Sequence, residues 1–143
     1  VSLALSDVAE LHVAHAWEAV AESAMRGEFL RRPDEEILAY VEQVRRQHAE
    51  GLDDLLNDVI SAQGGDAVRF LNPRKHLVKG PARLEIPVLA ESLAVDLVVM
   101  GTVARTGVAG LFIGNTAEAI LEQMECSVLA VKPEGFVTPV SRD

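Results

Sequence analysis

Short apolar runs without polar alternation are the feature of this sequence that most restricts its fold. "DLVVMG" (Asp96 to Gly101) and "CSVLAVKP" (Cys126 to Pro133) place apolar side chains at successive positions, as strands do when helices cover both faces of a sheet. "ELHVAHAW" (Glu10 to Trp17) and "KHLVKG" (Lys75 to Gly80) have the length and apolar content of two more strands. Because helical patterns separate these runs, the sequence predicts an α/β protein with a parallel sheet in three layers.

Apolar residues at helical spacing predict the elements between the strands. A long helix starts at Asp34 and keeps this spacing up to the stop signal Gly64-Gly65. "PARLEIPVLAESLA" follows the second strand as a helix with Pro81 in its first turn, and a last helix runs from about Thr116 to Met124. Residues 18 to 33 hold no clear period, so we expect a mobile loop or a short helix there, which would suit a lid.

Length, charge and cysteine content exclude several classes of protein. A chain of 143 residues, 49% of them hydrophobic, has the size of one domain with a sizeable core. Its formal charge of -9 would repel a polyanion, so nucleic acid is not an expected partner. Cys126 is the single cysteine, which fits a reducing compartment, and no apolar run approaches the roughly 20 residues that span a bilayer. We therefore expect a soluble cytoplasmic protein with no membrane segment.

The loop after "DLVVMG" is the strongest candidate for a binding site. Gly101 ends a predicted strand, and Gly114-Asn115-Thr116 opens a predicted helix. In open parallel sheets ligands bind beyond the carboxyl ends of the strands, and free N–H groups at a helix N-terminus hold anions. Gly, Asn and Thr are also ordinary turn and cap residues, so the pattern alone leaves both interpretations open. Arg105 in this loop would either neutralise a phosphate or pair with a carboxylate.

The loop also resembles a known family, the universal stress proteins. Their signature is a glycine, two residues, a second glycine, nine residues, and a glycine followed by serine or threonine. Gly101 and Gly114 stand at the first and third glycines, whereas Ala104 stands at the second and Asn115 at the hydroxyl position. "MGTVARTG", "GNTAE" and "SVLAVKP" together look like the C-terminal halves of tandem-domain members, and the resemblance extends over nearly the whole chain.

The resemblance implies a fold and a ligand. The fold is a doubly wound parallel sheet of the adenine nucleotide α-hydrolase type, in strand order 3-2-1-4-5, and the nucleotide-binding branch of the family holds ATP at the strand ends. The cofactor-binding residues that it implies here are Gly101, Ala104, Arg105, Gly114, Asn115 and Thr116. Ala104 adds a methyl group where glycine lets the backbone approach a phosphate, so we expect ATP or another adenine nucleotide to bind weakly or not at all.

The start of the chain departs from the family pattern. Family members open with a strand and an Asp that contacts adenine or ribose, whereas this sequence starts after that strand. We therefore expect residues 1–143 to be a single universal stress protein domain that is incomplete at its N-terminus, with the first strand of the sheet missing. Val1 to Asp7 would then be the last turns of the helix that follows this strand.

The resemblance also implies a function and partners. It predicts a stress-response regulatory module that is not an enzyme, with a degenerate nucleotide-binding loop and unidentified stress-response protein partners. In relatives the last strand pairs with the same edge of a second domain, so we expect "CSVLAVK" at the interface of a homodimer or of a tandem-domain pair. The alternative is an ATP-dependent enzyme of the adenine nucleotide α-hydrolase type, which the absence of a nucleophile or base beside the loop disfavours.

The remaining polar residues suit structural roles better than functional ones. The histidines lack metal-ligand spacing, and His12 and His15 lie three apart on a strand, hence on opposite faces. We accordingly predict no metal site and a structural role for His15, with ligand contact as its less favoured alternative. A basic run is either a solvated edge, which we favour, or a surface for an anionic partner; its members are Arg69, Arg74, Lys75, Lys79 and Arg83.

Overall fold

Parallel strand pairs with intervening helices make up the part of the chain that the computed structural model describes, residues 9–28, 30–62, 72–102 and 114–132. The contacts within the chain divide it into two compact units, Val1–Gly80 and Pro81–Asp143. No helix among the described residues is both long and apolar enough to cross a membrane.

The first unit contains one parallel pair of strands and a long helix. Its elements are β1 (His12–Trp17), α1 (Glu22–Arg26), α2 (Asp34–Ala62) and β2 (Arg74–Lys79). β1 and β2 are parallel, with His12 opposite Arg74 and Trp17 opposite Lys79. This register places alternate residues of both strands on one face, so that His15 and Trp17 share a face and His12 lies on the other. The two strands and the long helix predicted from the sequence are confirmed.

Helix α2 packs on the sheet through an apolar stripe. Ile37 and Leu52 are buried on it, and Asp34, Glu35 and Glu36 occupy its first turn, where their charge favours the helix dipole. The helix starts at the predicted residue and continues through Gly51, because burial of the neighbouring Leu52 offsets the low helix propensity of glycine.

The segment between β1 and α2 is held by polar contacts. It contains α1, which satisfies the expectation of a short helix there. Glu22 of α1 pairs with Lys79 at the end of β2 at 2.5 Å, and this hydrogen bond lowers the pKa of the Glu22 carboxyl. The Ala21 N–H donates to the Tyr40 hydroxyl of α2 at 3.3 Å. These contacts fasten α1 beside the carboxyl ends of both strands, and its role as a lid stays a prediction.

The second unit repeats the alternation of helix and strand. Its elements are α3 (Ala82–Ser92), β3 (Leu97–Gly101), α4 (Asn115–Leu121) and β4 (Ser127–Val131). β3 and β4 are parallel, with Leu97 opposite Ser127 and Gly101 opposite Val131. The order of elements predicted from the sequence is confirmed here too, with boundaries that differ by a few residues.

A proline inside α3 is accommodated by a contact with the segment after α4. Pro87 lacks an N–H, so the carbonyl of Arg83 has no helical donor four residues later. The Gln123 side-chain amide donates to this carbonyl at 3.1 Å and thereby satisfies it. The helix ends at Ser92 with Leu93 as its C-cap. Ala94 then adopts a left-handed φ of 49°, and the Val95 N–H donates to the Ala90 carbonyl at 3.2 Å.

Burial along β3 and β4 differs from the expectation that helices cover both faces. Val99 is 56% exposed and Leu129 is 42% exposed, although they lie opposite each other in the register. Val98, Met100 and Val128 point to the other face and are half-buried. Within the described residues, one face of this strand pair is therefore covered and the other is not. Residue type alone does not reveal this, because a continuous apolar run looks the same whether one face or two are packed.

The strand pairs are compatible with the strand order that the family resemblance implies. β2–β1 and β3–β4 correspond to the two outer pairs of the order 3-2-1-4-5. The complete order, and the assignment of residues 1–143 to a single domain, stay predictions.

Truncation of Ile37 to alanine tests the packing of α2. Ile37 is 1% exposed, so Ile37→Ala should lower the free energy of unfolding by about 2–5 kcal/mol, whereas the control Leu38→Ala, at a side chain that is 61% exposed, should change it by less than about 0.5 kcal/mol. Urea unfolding followed by circular dichroism measures both values. Equal losses in the two variants would contradict this account of the helix face.

Candidate functional site

The end of β3 and the start of α4 are joined by a backbone hydrogen bond. The Gly114 N–H donates to the Thr102 carbonyl at 3.0 Å, and Thr102 directly follows the last residue of β3. The chain thus leaves the strand end and returns to the same place to begin a helix. We call this place the β3–α4 junction, meaning Gly101, Thr102, Gly114, Asn115 and Thr116.

The helix at the junction begins without a side-chain cap. Gly114 is the N-cap, with extended backbone at φ -62° and ψ 144°, and its carbonyl accepts a hydrogen bond from the Glu118 N–H at 3.0 Å. A glycine cap has no side-chain oxygen to satisfy the first N–H groups of the helix. Asn115 and Thr116 are exposed in this first turn, so their polar side chains are accessible to solvent at the same helix end as these N–H groups.

Gly101 borders open space. None of the described atoms lies within 4 Å of the position that a Cβ on Gly101 would occupy, and its φ is not in the left-handed region. Packing and backbone conformation in the described part of the protein therefore do not require glycine here. The position has the property expected where a ligand approaches the backbone closely.

Thr102 carries a buried hydroxyl that has no hydrogen-bond partner among the residues that the structure describes. The residue is 1% exposed, and Oγ1 is the atom concerned. A buried hydroxyl without a hydrogen bond lowers the stability of the folded protein by about 1–3 kcal/mol. Such a group in a folded protein therefore requires an explanation. Sequence reasoning did not select Thr102. The available signal was a hydroxyl residue directly after the first glycine of the signature.

The structure brings together most of the residues predicted for the site. Gly101, Gly114, Asn115 and Thr116 lie at the β3–α4 junction, whereas Ala104 and Arg105 lie outside the described residues. The Gly114 N–H is already used by Thr102, so Asn115 and Thr116 are left to supply the first-turn donors. Glu118, also in the first turn, places a negative charge where an anion would bind and so opposes it.

Three residues of the basic run around β2 form ion pairs with carboxylates. Arg74 contacts Glu10 at 2.7 Å and Lys75 contacts Asp53 at 2.5 Å. Lys79 pairs with Glu22, as described for α1. These contacts favour a surface of internal ion pairs over a site for an anionic partner, and Arg69 lies outside the described residues.

The histidines contact one another in pairs. His15 Nε2 lies 2.8 Å from His48 Nδ1, and His12 Nδ1 lies 2.8 Å from His76 Nε2. These bonds support the structural role predicted for His15 and the placement of His12 and His15 on opposite faces. Within the described ranges, no group of three or more His, Cys, Asp or Glu residues is arranged to hold a metal ion.

Comparison with known proteins identifies the family. The sequence profile of the universal stress protein family matches residues 1–132. The chain belongs to the universal stress protein family. The resemblance recognised from the "MGTVARTG" and "GNTAE" segments is thereby confirmed.

Curated relatives share part of the chain. It is 39% identical over 94 residues to universal stress protein E of Escherichia coli (strain K12), a match that covers 61% of this chain and 30% of the relative. It is 29% identical over 93 residues to universal stress protein MJ0531 of Methanocaldococcus jannaschii, which covers 59% of this chain and 55% of that protein. The chain thus matches about a third of the length of universal stress protein E.

Solved structures share the fold. Hypothetical protein MJ0577 superposes with a TM-score of 0.60 at 17% identity, covering 94% of this chain and 88% of that one. A universal stress protein in complex with cAMP superposes with a TM-score of 0.50 at 20% identity, covering 91% of this chain and 79% of that one. At these identities the comparisons establish the universal stress protein fold.

Replacement of Thr102 by valine tests the buried hydroxyl. Thr102→Val keeps the shape and removes the unsatisfied oxygen, so it should raise the free energy of unfolding of the ligand-free protein by about 1 kcal/mol. Thr116→Val, at an exposed position of the same junction, is the control and should change it by less than about 0.5 kcal/mol. Urea unfolding measures both. A clear loss of stability in Thr102→Val would show that the hydroxyl is satisfied within the folded chain.

Proposed function

We propose that this chain is a regulatory domain that binds an adenine nucleotide weakly through the β3–α4 junction and does not turn it over. The observation that carries the proposal is the Gly114 N–H to Thr102 carbonyl bond, which sets a helix N-terminus against the end of a parallel strand. Phosphates bind at such positions in α/β proteins because backbone donors and the helix dipole converge there.

The residues at the junction fit the phosphate end of a nucleotide. Gly101 offers backbone that a ligand can approach, and the Thr102 hydroxyl is an unused polar atom next to it. The N–H groups and side chains of Asn115 and Thr116 would donate to phosphate oxygens. These donors would stabilise the negative charge of the bound phosphates by hydrogen bonding.

Several features support weak binding. Ala104 replaces a signature glycine, and its methyl group would crowd a phosphate close to the backbone. Glu118 adds a like charge in the same helical turn. The Gly114 N–H is spent on the Thr102 carbonyl, so one donor of the signature is not available to the ligand.

A regulatory role is favoured over an enzymatic one by the environment of Thr102. A hydroxyl nucleophile needs a general base within hydrogen-bond reach, and Thr102 Oγ1 has none among the described residues. This observation disfavours the ATP-dependent α-hydrolase alternative. The cytoplasmic location and stress-response partners implied by the family resemblance remain part of the proposal.

A nucleotide titration tests the binding proposal. ATP, ADP, AMP and cAMP are compared, since a related universal stress protein is in complex with cAMP. Binding raises stability by RT ln(1 + [L]/Kd), about 0.4 kcal/mol when ligand equals Kd, so we expect small thermal shifts that need millimolar nucleotide. No shift with any of the four at 10 mM, or a micromolar Kd by calorimetry, would contradict weak binding. Release of phosphate from ATP would instead support the enzyme.

Two glycine substitutions provide a matched comparison for this titration. Gly101→Ala places a methyl group in the space at the junction, and Gly51→Ala places one on exposed helix α2; both positions are free of described atoms within 4 Å. Gly101→Ala should reduce the nucleotide-induced shift, whereas Gly51→Ala should keep it and stabilise the ligand-free protein by about 1 kcal/mol. Equal nucleotide shifts in both variants would place the ligand away from Gly101.

We also propose that β4 lies at an interface with a second domain, in a homodimer or in a tandem-domain protein. Leu129 and Val131 of β4 are 42% and 48% exposed. Apolar side chains on an edge strand favour pairing with another strand. The match to about a third of universal stress protein E supports the tandem arrangement as one of the two forms.

Charge substitutions test this interface. Leu129→Glu should shift a dimer to monomer in analytical ultracentrifugation, because a carboxylate is costly to bury. Leu84→Glu on α3, where the native leucine is 49% exposed, is the control and should leave the assembly unchanged. A wild-type chain that stays monomeric at high concentration would rule out the homodimer. The same assembly in both variants would rule out β4 as the interface.

A further inference from the structure

Every histidine of this chain is part of an imidazole pair centred on β1. The sequence contains four histidines, two of them in β1, and each of these two contacts a histidine of another element. His12 pairs with His76 of β2, and His15 pairs with His48 of α2. We propose that the His15–His48 pair is a proton-sensitive contact that holds α2 on β1 at neutral pH and loosens it in mild acid.

The two rings of the His15–His48 pair meet end to end. Their centroids are 5.0 Å apart while Nε2 of His15 and Nδ1 of His48 are 2.8 Å apart. The centroid separation exceeds the nitrogen–nitrogen distance by nearly the sum of the two centroid-to-nitrogen distances. The two nitrogen atoms therefore face each other close to the line between the ring centres. This is the arrangement of an N–H···N hydrogen bond. A zinc ion on that line would need the nitrogens about 4 Å apart, so a proton fits between them and a metal does not.

An N–H···N bond between imidazoles requires one donor and one acceptor. A neutral imidazole has one of each, whereas a protonated imidazole has two donors and no acceptor. One proton added to the pair leaves an acceptor on the other ring, and a second proton removes it. Two positive charges would then face each other across the contact, so the folded pair resists the second proton.

Other charged groups lie on the elements around this pair. Ion pairs join Lys75 with Asp53, Lys79 with Glu22, and Arg45 with Glu42. Helix α2 also carries further exposed carboxylates, among them Glu50 and Asp54. No carboxylate is hydrogen-bonded to His15 or His48 within the described residues, whereas Glu10 Oε1 lies 3.5 Å from His12 Nε2 in the other pair. The two pairs therefore differ in their polar surroundings.

Burial acts in the same direction as the pair itself. Desolvation, and then the charge of His48, lower the pKa of His15 below its ordinary value. Since the folded pKa lies below the unfolded one, the unfolded chain takes up protons first as the pH falls. The stability from the neutral pair is therefore present above about pH 6.5 and is lost as the pH falls through the folded pKa.

Trp17 provides a reporter inside the contact. It is the single tryptophan of the chain, it is 4% exposed, and its ring centroid lies 6.0 Å from that of His48. A protonated imidazole quenches indole fluorescence more than a neutral one does, and loosening of α2 would expose the indole to water. Protonation of the pair should therefore change both the intensity and the wavelength of Trp17 emission.

The experiment compares the wild-type 143-residue chain with two variants between pH 7.5 and 5.5. His48→Gln keeps a hydrogen-bonding group and removes the titratable ring from the pair, whereas the control His76→Gln alters the pair with His12. Trp17 emission and urea unfolding are measured at each pH. If His15 stays neutral in the folded chain and titrates with its ordinary pKa in the unfolded chain, acidification raises the wild-type unfolding constant by up to about tenfold.

The proposal expects this acid effect and the Trp17 transition in the wild type and in His76→Gln, and a much smaller effect in His48→Gln. It is overturned if the wild type shows no acid effect, or if His48→Gln keeps all of it. If His48→Gln fails to fold, ¹⁵N resonances of the wild-type imidazoles decide. Titration of the His15 ring below its ordinary pKa supports the proposal, and titration of that ring at its ordinary pKa contradicts it. No nucleotide is added, so the outcome is independent of the β3–α4 junction.

Discussion

The candidate nucleotide site depends on one backbone hydrogen bond, from the Gly114 N–H to the Thr102 carbonyl. It closes the loop between β3 and α4 at the place where the strand ends, and it sets the start of α4 beside Gly101. The same bond consumes one of the donors that an anion would use. If a nucleotide binds here as we propose, this bond weakens its binding in the same direction as Ala104 and Glu118.

β1 has a comparable central position in the first unit. Its parallel pairing with β2 carries His12 to one face and His15 to the other, and each imidazole meets a partner there. The half-buried His15–His48 bond lies between strand and helix, with Trp17 beside it. A polar contact of this kind is stable only while its donors and acceptors match, which is the reason for proposing that it responds to protons.

Several elements were predictable from local patterns. Asp34 was identified as the start of α2 because apolar residues keep helical spacing from there onward. The meeting of the end of β3 with the start of α4 was predicted because parallel topology brings strand ends and helix starts to the same edge, whereas a binding role for these residues stays a prediction. The exposure of Val99 and Leu129 was not predictable, since an apolar run does not state which of its faces a helix covers. The Thr102 hydroxyl, which has no hydrogen-bond partner among the described residues, was missed because burial depends on neighbours distant in sequence.

The sequence by itself determined the elements, their order and the family, because periodicity, glycine placement and the signature spacing are local properties. It also determined that His12 and His15 lie on opposite faces of a strand, since side chains alternate along it. Only the tertiary structure decided which partners they meet. His48 and His76 are 33 and 64 residues away from theirs, and the 2.8 Å contacts exist because folding brings α2 and β2 onto β1. The tertiary structure likewise closed the β3–α4 junction, since a hydrogen bond between residues 102 and 114 depends on the path of the loop between them.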